Sequence, residues 1–179
     1  MNINDCLSII SHGESLTTEF KQSFDKEAIE TISAFANTKG GYLFIGIKDD
    51  STISGVTIGN ESIQNYINQV KNSTEPSLIV DIETFMLENK TVLAIKVDEF
   101  PIKPVSFKGK YFKRVQNSNH QLNLTEISNM HLQSIQLSWD AYEAQDTTLE
   151  ELDFDKIDKF LSKIKASGKF KLSDDRMQN

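Results

Sequence analysis

The sequence predicts an α+β domain: a mixed β-sheet with two to three packed helices, followed by an acidic linker and a further helix. Three observations predict it. Hydrophobic spacing switches along the chain between the 3.6-residue period of a helix and the two-residue period of a strand, without regular alternation of the two. One short run, YLFIGI at residues 42–47, is apolar throughout and lies between Gly-Gly and Asp-Asp, as a strand covered on both faces would. The length of 179 residues, 38% of them hydrophobic, suits one core plus an appendage better than two full domains. The expected organisation is a domain over residues 1–137, an acidic linker over 138–152, and an amphipathic helix over 153–168 in what is expected to be a piece of a longer protein.

The elements follow in order. Glu19, Phe20 and Lys21 read as a strand, with Phe20 inward and the two charged residues sharing the other face. Residues 25–37 place Ala28, Ile29, Ile32, Phe35 and Ala36 at helical spacing, with Asp25 as the cap and Gly40-Gly41 beyond the end. That helix is expected to bury one face. After YLFIGI and a turn at residues 49–52, ISGV is expected to return as a short strand. Ile63, Tyr66, Ile67 and Val70 define a helix over 61–71. Residues 77–87 and 91–98 form a long hairpin joined by ENK, with Leu78, Val80 and Ile82 inward, and residues 105–116 a second hairpin turning at Lys108-Gly109. A third helix opens at Asn123, with Glu126 completing a capping box and Ile127, Met130 and Ile135 as the buried positions. In the C-terminal helix, Ile157, Phe160, Leu161 and Ile164 form the apolar stripe.

Composition excludes several classes of protein. No stretch approaches the roughly 18 consecutive apolar residues of a membrane span, and the N-terminus lacks a secretory layout, so a cytoplasmic protein with no membrane partner is expected. Cys6 is the only cysteine, and His12, His120 and His131 are scattered, which leaves no zinc-ligand spacing. The net charge of −7 argues against a nucleic-acid partner at first sight. It is unevenly distributed, however. Residues 139–158 hold eight acids against Lys156, whereas residues 101–125 hold Lys103, Lys108, Lys110, Lys113 and Arg114 and no acid. An acidic connector and a local basic face follow from this segregation.

Three carboxylates form the candidate site. Glu14 and Glu19 are five residues apart, so neither one straight strand nor one helix aims both at the same point. If they cooperate, the chain must turn between them, at Ser15 to Thr18. Asp49, just past the end of the buried strand, is the third acid, and Lys21 would offset charge on a phosphate. Oxygen ligands without zinc ligands suit Mg²⁺ or Mn²⁺, and an ion so held can activate water for phosphodiester cleavage. Against this stand an exposed Glu19–Lys21 ion pair and ordinary turn residues at 49–51.

GESLTTEFK (13–21), ISAFANTKGGYLFIGIKDD (32–50) with ISG after it, and KPVSFKGKYFKRVQNSNHQLNLTEI (103–127) together resemble the Schlafen AlbA-like domain. That family occurs in vertebrate Schlafen proteins and in many microbial proteins described as DNA-binding or transcriptional regulators. The resemblance implies the Schlafen AlbA-like fold. It also carries the three acids of nuclease-active vertebrate members onto Glu14, Glu19 and Asp49, with Lys21 beside them, as catalytic and metal-holding residues. Vertebrate members pair two such lobes to grip structured RNA, so a homodimer would supply the second lobe here. Similar microbial proteins often continue into an ATPase-like domain. This chain has no G-x-x-x-x-G-K-[ST], so no ATP site is assigned to it.

The basic hairpin is the nucleic-acid candidate: Lys103, Lys108, Lys110, Lys113 and Arg114, interleaved with Phe107, Tyr111 and Phe112. Alternation places Lys110, Phe112 and Arg114 on one face and Tyr111, Lys113 and Val115 on the other. A solvated hairpin guarded by edge lysines is the competing reading. Asn117 to His120 either extend the polar surface or form a loop. Glycines 40 and 41 are read as a helix C-terminus rather than a phosphate cradle, because they follow a helix instead of opening one. The expected function is nucleic-acid binding, DNA foremost, within a transcriptional regulator. The alternatives are a Mg²⁺- or Mn²⁺-dependent endoribonuclease acting on structured RNA such as tRNA, and an interaction or sensor module that binds no nucleic acid.

Overall fold

The computed structural model describes residues 2–59, 61–135 and 153–167. The chain divides into two units, 1–139 and 140–179. The expected acidic linker, residues 138–152, lies outside the described residues. The second unit contains one described helix, α5 (Phe154–Ser167), where the apolar spacing predicts it.

The first unit opens on a helix the sequence did not announce, α1 (Ile3–Ser11), capped by Asn2 and Asp5 in a reciprocal box. Nine residues are too few for a helix to persist alone in water. Burial of Cys6 and Ile10 against the sheet supplies what local propensity lacks. Strand β1 (Thr18–Lys21) runs parallel to β2 (Gly41–Ile45), and α2 (Lys26–Ala36) is the crossover between them. Asp25 caps α2, its Oδ1 accepting the N–H groups of Glu27 (2.9 Å) and Ala28 (3.1 Å). Beyond Asn37, the Gly40 N–H donates to Phe35 O at 2.9 Å, so these glycines do close a helix. A Cβ on Gly40 would lie 2.5 Å from Val97 O, a close approach that only glycine permits.

Two further strands complete this sheet in the order β1-β2-β5-β4. β4 (Asp81–Leu87) and β5 (Lys90–Val97) form the predicted hairpin around Glu88 and Asn89, both at positive φ (49° and 58°). β4 begins later than expected: Leu78 and Val80 are buried but precede the strand. ISGV does not return as a strand. It makes one bridge, Ile47 to Ile53, and the N–H groups of Ser54 and Gly55 both turn to Gly46 O. Helix α3 (Ser62–Ser73) follows as predicted and buries Val70.

The expected mixed sheet is present, and a second sheet accompanies it. The second is antiparallel, in the order β3-β6-β7-β8: β3 (Thr74–Glu75), β6 (Ser106–Phe107), β7 (Lys110–Val115) and β8 (Ser118–Gln121). β8, with the sequence SNHQ, has little intrinsic strand preference, and it forms where a polar surface or a loop is expected at residues 117–120. Helix α4 (Leu124–Ser134) starts at Asn123 with both capping-box bonds formed, to and from Glu126 (3.0 and 3.1 Å). It buries no residue fully, so the burial expected of Ile127, Met130 and Ile135 is only partial.

The second sheet changes the role of α2. Expected to bury one face, α2 buries Ala28, Ile29 and Thr31 through Ala36, because the first sheet covers one side and β6 to β8 the other. Small residues at Ala28, Ser33, Ala34 and Ala36 let both layers approach. β2 is covered on both sides, as predicted: Leu43 and Ile45 join the core around α2, while Phe44 joins Phe20, Cys6 and Ile10 under α1. Full burial of a Leu, Ile or Phe side chain is worth about 1.5–3 kcal/mol, so these two clusters carry most of the stability.

Candidate nucleic-acid interface

The turn that the spacing of Glu14 and Glu19 demands is present. The Ser15 N–H donates to Thr18 O (2.9 Å), which folds the chain back so that Glu14 Oε1 accepts the N–H of Phe20 at 3.2 Å. Glu19 lies on the face of β1 opposite Phe20 and is itself buried, at 6% exposure. Its Oε1 accepts from Lys21 Nζ at 2.7 Å, and its Oε2 stands 2.7 Å from Arg114 Nη1. The second contact is a close ion pair rather than an aligned hydrogen bond, since Nη1 aims at Asn119 Oδ1 (2.9 Å) while Nη2 donates to Ser15 O (2.9 Å). The guanidinium also stacks over Phe35, 5.0 Å from its ring centre.

Lys21 sits among the three acids. Burial works to lower its pKa, but the hydrogen bond and charge of Glu19, with Glu14 and Asp49 behind them, outweigh that and raise it. Asp49 is exposed and shares with Lys21, Gln22, Ser23, Asp25 and Glu27 a cleft of about 270 Å³. Mg²⁺ or Mn²⁺ would need these carboxylates to converge at ligand distances of about 2.0–2.6 Å. Among the described residues, no group of three or more His, Cys, Asp and Glu side chains does so. Both Glu19 oxygens face cations of the protein, Lys21 and Arg114, so this carboxylate is already neutralised. The donor set therefore does not fit the expected ion.

Glu14 titrates above the ordinary carboxylate range: burial pushes it up and the charge of Glu19 adds to this, against the lowering effect of the Phe20 N–H. A raised carboxylate pKa stabilises the fold where the group is protonated, and that contribution is lost as pH rises through the folded-state value. Glu14→Gln is expected to flatten this limb when urea midpoints are followed upward in pH from the carboxylate range. A profile identical to wild type would contradict the assignment.

The five basic candidates separate into two sets. Arg114, predicted as a phosphate contact, has a side chain only 1% exposed and is turned inward to Glu19, so it is a structural residue. Phe112 is buried beside it, and Lys110, on the same face in the alternation, escapes burial because it begins the strand. Lys103 is engaged with the Glu99 carboxylate and Thr38 O, and Lys113 with Glu126 at 2.7 Å. Lys108 and Lys110 are exposed at a turn held by φ of 49° and 75° at Lys108 and Gly109, and neither makes an ion pair among the described residues. Lys108 lies over the Phe107 ring at 5.6 Å.

Two asparagines organise this surface: Asn37, which the sequence did not single out, and Asn119, expected only as part of a polar contact surface or a loop. Asn37 is 97% buried: its Nδ2 donates to Val105 O (2.7 Å) and Phe112 O (2.8 Å), and its Oδ1 accepts from the Val105 N–H (2.6 Å). It binds the end of α2 to β7 and to the residue before β6. Asn119 reaches from β8 to Thr31 and Glu30 on α2 (3.0 and 3.3 Å) while accepting from Arg114. Their signal in the sequence was weak, an Asn after a helix end and an Asn in a polar run.

A βαβ unit extended into one sheet, with a second antiparallel sheet closed over its helix and anchored by a buried Glu–Arg pair, defines a two-sheet α+β domain. The chain belongs to the Schlafen AlbA_2 family, whose sequence model matches residues 14–123. It is 37% identical over 87 residues, 44% of this chain, to the uncharacterized ATP-binding protein UU034 of Ureaplasma parvum serovar 3, of which it spans 24%. In structure it is similar to the DIP2311 protein of Corynebacterium diphtheriae, at a TM-score of 0.57 and 18% identity, covering 94% of this chain and 35% of that one. A second structure, the N-terminal domain of an ATP-dependent DNA helicase RecG-related protein from Nitrosomonas europaea, aligns at a TM-score of 0.49 and 25% identity, over 67% of this chain and 92% of that one. The chain thus spans about a quarter of the curated relative and about a third of the DIP2311 protein. No helix among the described residues is long and apolar enough to cross a membrane.

Proposed function

We propose that this domain binds nucleic acid, with duplex DNA as the first ligand to test, through the β6–β7 turn and the adjoining β7–β8 ribbon. The observation that carries this reading is the exposed pair Lys108 and Lys110 on a conformationally fixed turn, inside a segment, residues 101–125, that contains no acid. Family membership supports it, because resemblance to the Schlafen AlbA-like domain implies nucleic-acid association. The polar β8 strand, with Ser118 and His120 exposed, extends the surface. A site of so few free cations binds modestly. Two phosphate contacts give a slope of about −2 in log K against log salt, at roughly 0.9 per contact.

The test measures binding of labelled duplex DNA, single strands and tRNA at two salt concentrations. Lys108→Ala combined with Lys110→Ala is expected to weaken binding and to reduce the salt slope by about 2. No binding of any of the three by the wild type near physiological salt would sink the reading and leave the interaction-module alternative. Cleavage of tRNA that requires Mn²⁺ and disappears in Asp49→Asn would replace it with the nuclease alternative. Asp49 is the acid to change because it is exposed, so its loss leaves the fold intact.

A further inference from the structure

Among the described residues, the outer edge of the first sheet is open at β4. The strand has seven residues and pairs with β5 on one side only, and among the described residues no backbone bond from another element reaches it. Because the β4–β5 turn has two residues, Leu87 and Lys90 are a hydrogen-bonded pair, and bonded pairs recur at every second residue. Asp81, Glu83, Phe85 and Leu87 therefore direct their N–H and C=O groups to β5. Ile82, Thr84 and Met86 direct theirs outward, leaving three donors and three acceptors unpaired by the sheet. Such an edge is a template for another strand.

We propose that β4 pairs antiparallel with β4 of a second copy of this chain, about a two-fold axis at Thr84. The outward groups are then bonded to each other: Thr84 faces Thr84 of the second copy, and Ile82 faces Met86 on either side, for six inter-strand hydrogen bonds. Moving the axis one residue, to Phe85 or Glu83, leaves only four of these bonds within the strand. The side chains agree with the Thr84 register. Met86 is 59% exposed and gains an apolar partner in Ile82, while Asp81 and Glu83 fall opposite Leu87 and Phe85 rather than opposite one another. The usual protections of an edge are missing at the outward-bonded positions, which carry neither proline nor charge. Apolar surface continues beyond the strand on α1, whose buried Cys6 feels the charge of Glu83 and whose Ile3 and Leu7 remain 46% and 45% exposed. The dimer has one continuous eight-stranded sheet.

The pairing is independent of any nucleic acid, so its test is separate from that of the proposed function. Sedimentation equilibrium of the full chain across a concentration range is expected to approach twice the 20.3 kDa chain mass. Thr84→Pro removes an outward N–H and leaves the β5 ladder whole, so it should return the protein to monomer with unchanged circular dichroism. Met86→Lys, an edge lysine, should do the same if the proline variant fails to fold. Thr84→Cys should form an intermolecular disulfide with diamide as oxidant, because directly opposed residues in a bonded pair have Cα atoms about 5.5 Å apart, within disulfide range. Lys48→Cys, on an exposed turn elsewhere, should not. A monomeric wild type at every concentration, a dimer that survives both edge variants, or failure of Thr84→Cys to cross-link would overturn the proposal. Capture of an extended basic peptide by a wild type that stays monomeric would overturn it as well.

Discussion

Arg114→Ala is expected to lower the unfolding free energy by about 3–5 kcal/mol, read as a fall in urea midpoint at unchanged m-value. The size follows from what is left behind. Glu19 would remain buried with one oxygen facing no cation, Asn119 and Ser15 O would lose their donor, and Phe35 would lose the guanidinium stacked on it. Taking a carboxylate out of water without its partner costs far more than an exposed ion pair gains, and exposed pairs are typically worth under about 1 kcal/mol. Lys113→Ala, which breaks the half-exposed Lys113–Glu126 pair, should therefore cost less than about 1 kcal/mol. The double change Arg114→Met with Glu19→Leu should recover most of the loss, since an apolar pair of similar volume leaves no buried charge. Equal, small effects of Arg114→Ala and Lys113→Ala would show that Arg114 is not buried.

Asn37→Ala should be nearly as damaging, at about 3 kcal/mol or more, because it strands two carbonyls and one N–H in the interior, each worth about 1–3 kcal/mol when left unpaired. Asn37→Asp separates the hydrogen bonds from packing, since it keeps the shape but turns both donors into acceptors facing Val105 O and Phe112 O. It should be no better than alanine at neutral pH and should improve as acid protonates the carboxyl. The informative measurement is hydrogen exchange, in which the β6–β7 amides should lose protection before those of β2 and β5. Uniform loss across both sheets would mean that Asn37 does not specifically tie the second sheet to α2.

These two residues also mark the limit of what the sequence discloses. Elements whose cause is local were legible: Asp25 before α2, the Asn123–Glu126 box, a turn within ENK (88–90), the turn at 108–109, and the apolar run of β2. The turn between Glu14 and Glu19 followed from geometry alone. What the sequence concealed depends on partners distant in the chain. Alternation placed Arg114 beside Phe112, but nothing near residue 114 shows that Glu19 waits on the other side. Lys21 read as a helper for phosphate, whereas it is the cation already lying among three carboxylates. SNHQ lacks strand propensity and is a strand because β7 and the Thr31–Glu30 edge of α2 bond to it. A nine-residue N-terminal helix likewise exists because of the sheet beneath it.

The burial of α2 on both sides constrains the order in which the domain is made. Strands from before it and from well after it complete its surroundings, so a nascent chain that has passed β5 but not β7 exposes Phe35, which the Arg114 guanidinium covers, and Thr31, to which Asn119 bonds. Closure is thus a late, long-range event with a loop-closure cost that the local hairpins cannot offset in advance. Until residues 105–121 arrive, the interval on the ribosome is when this domain is most exposed to chaperones and to proteolysis.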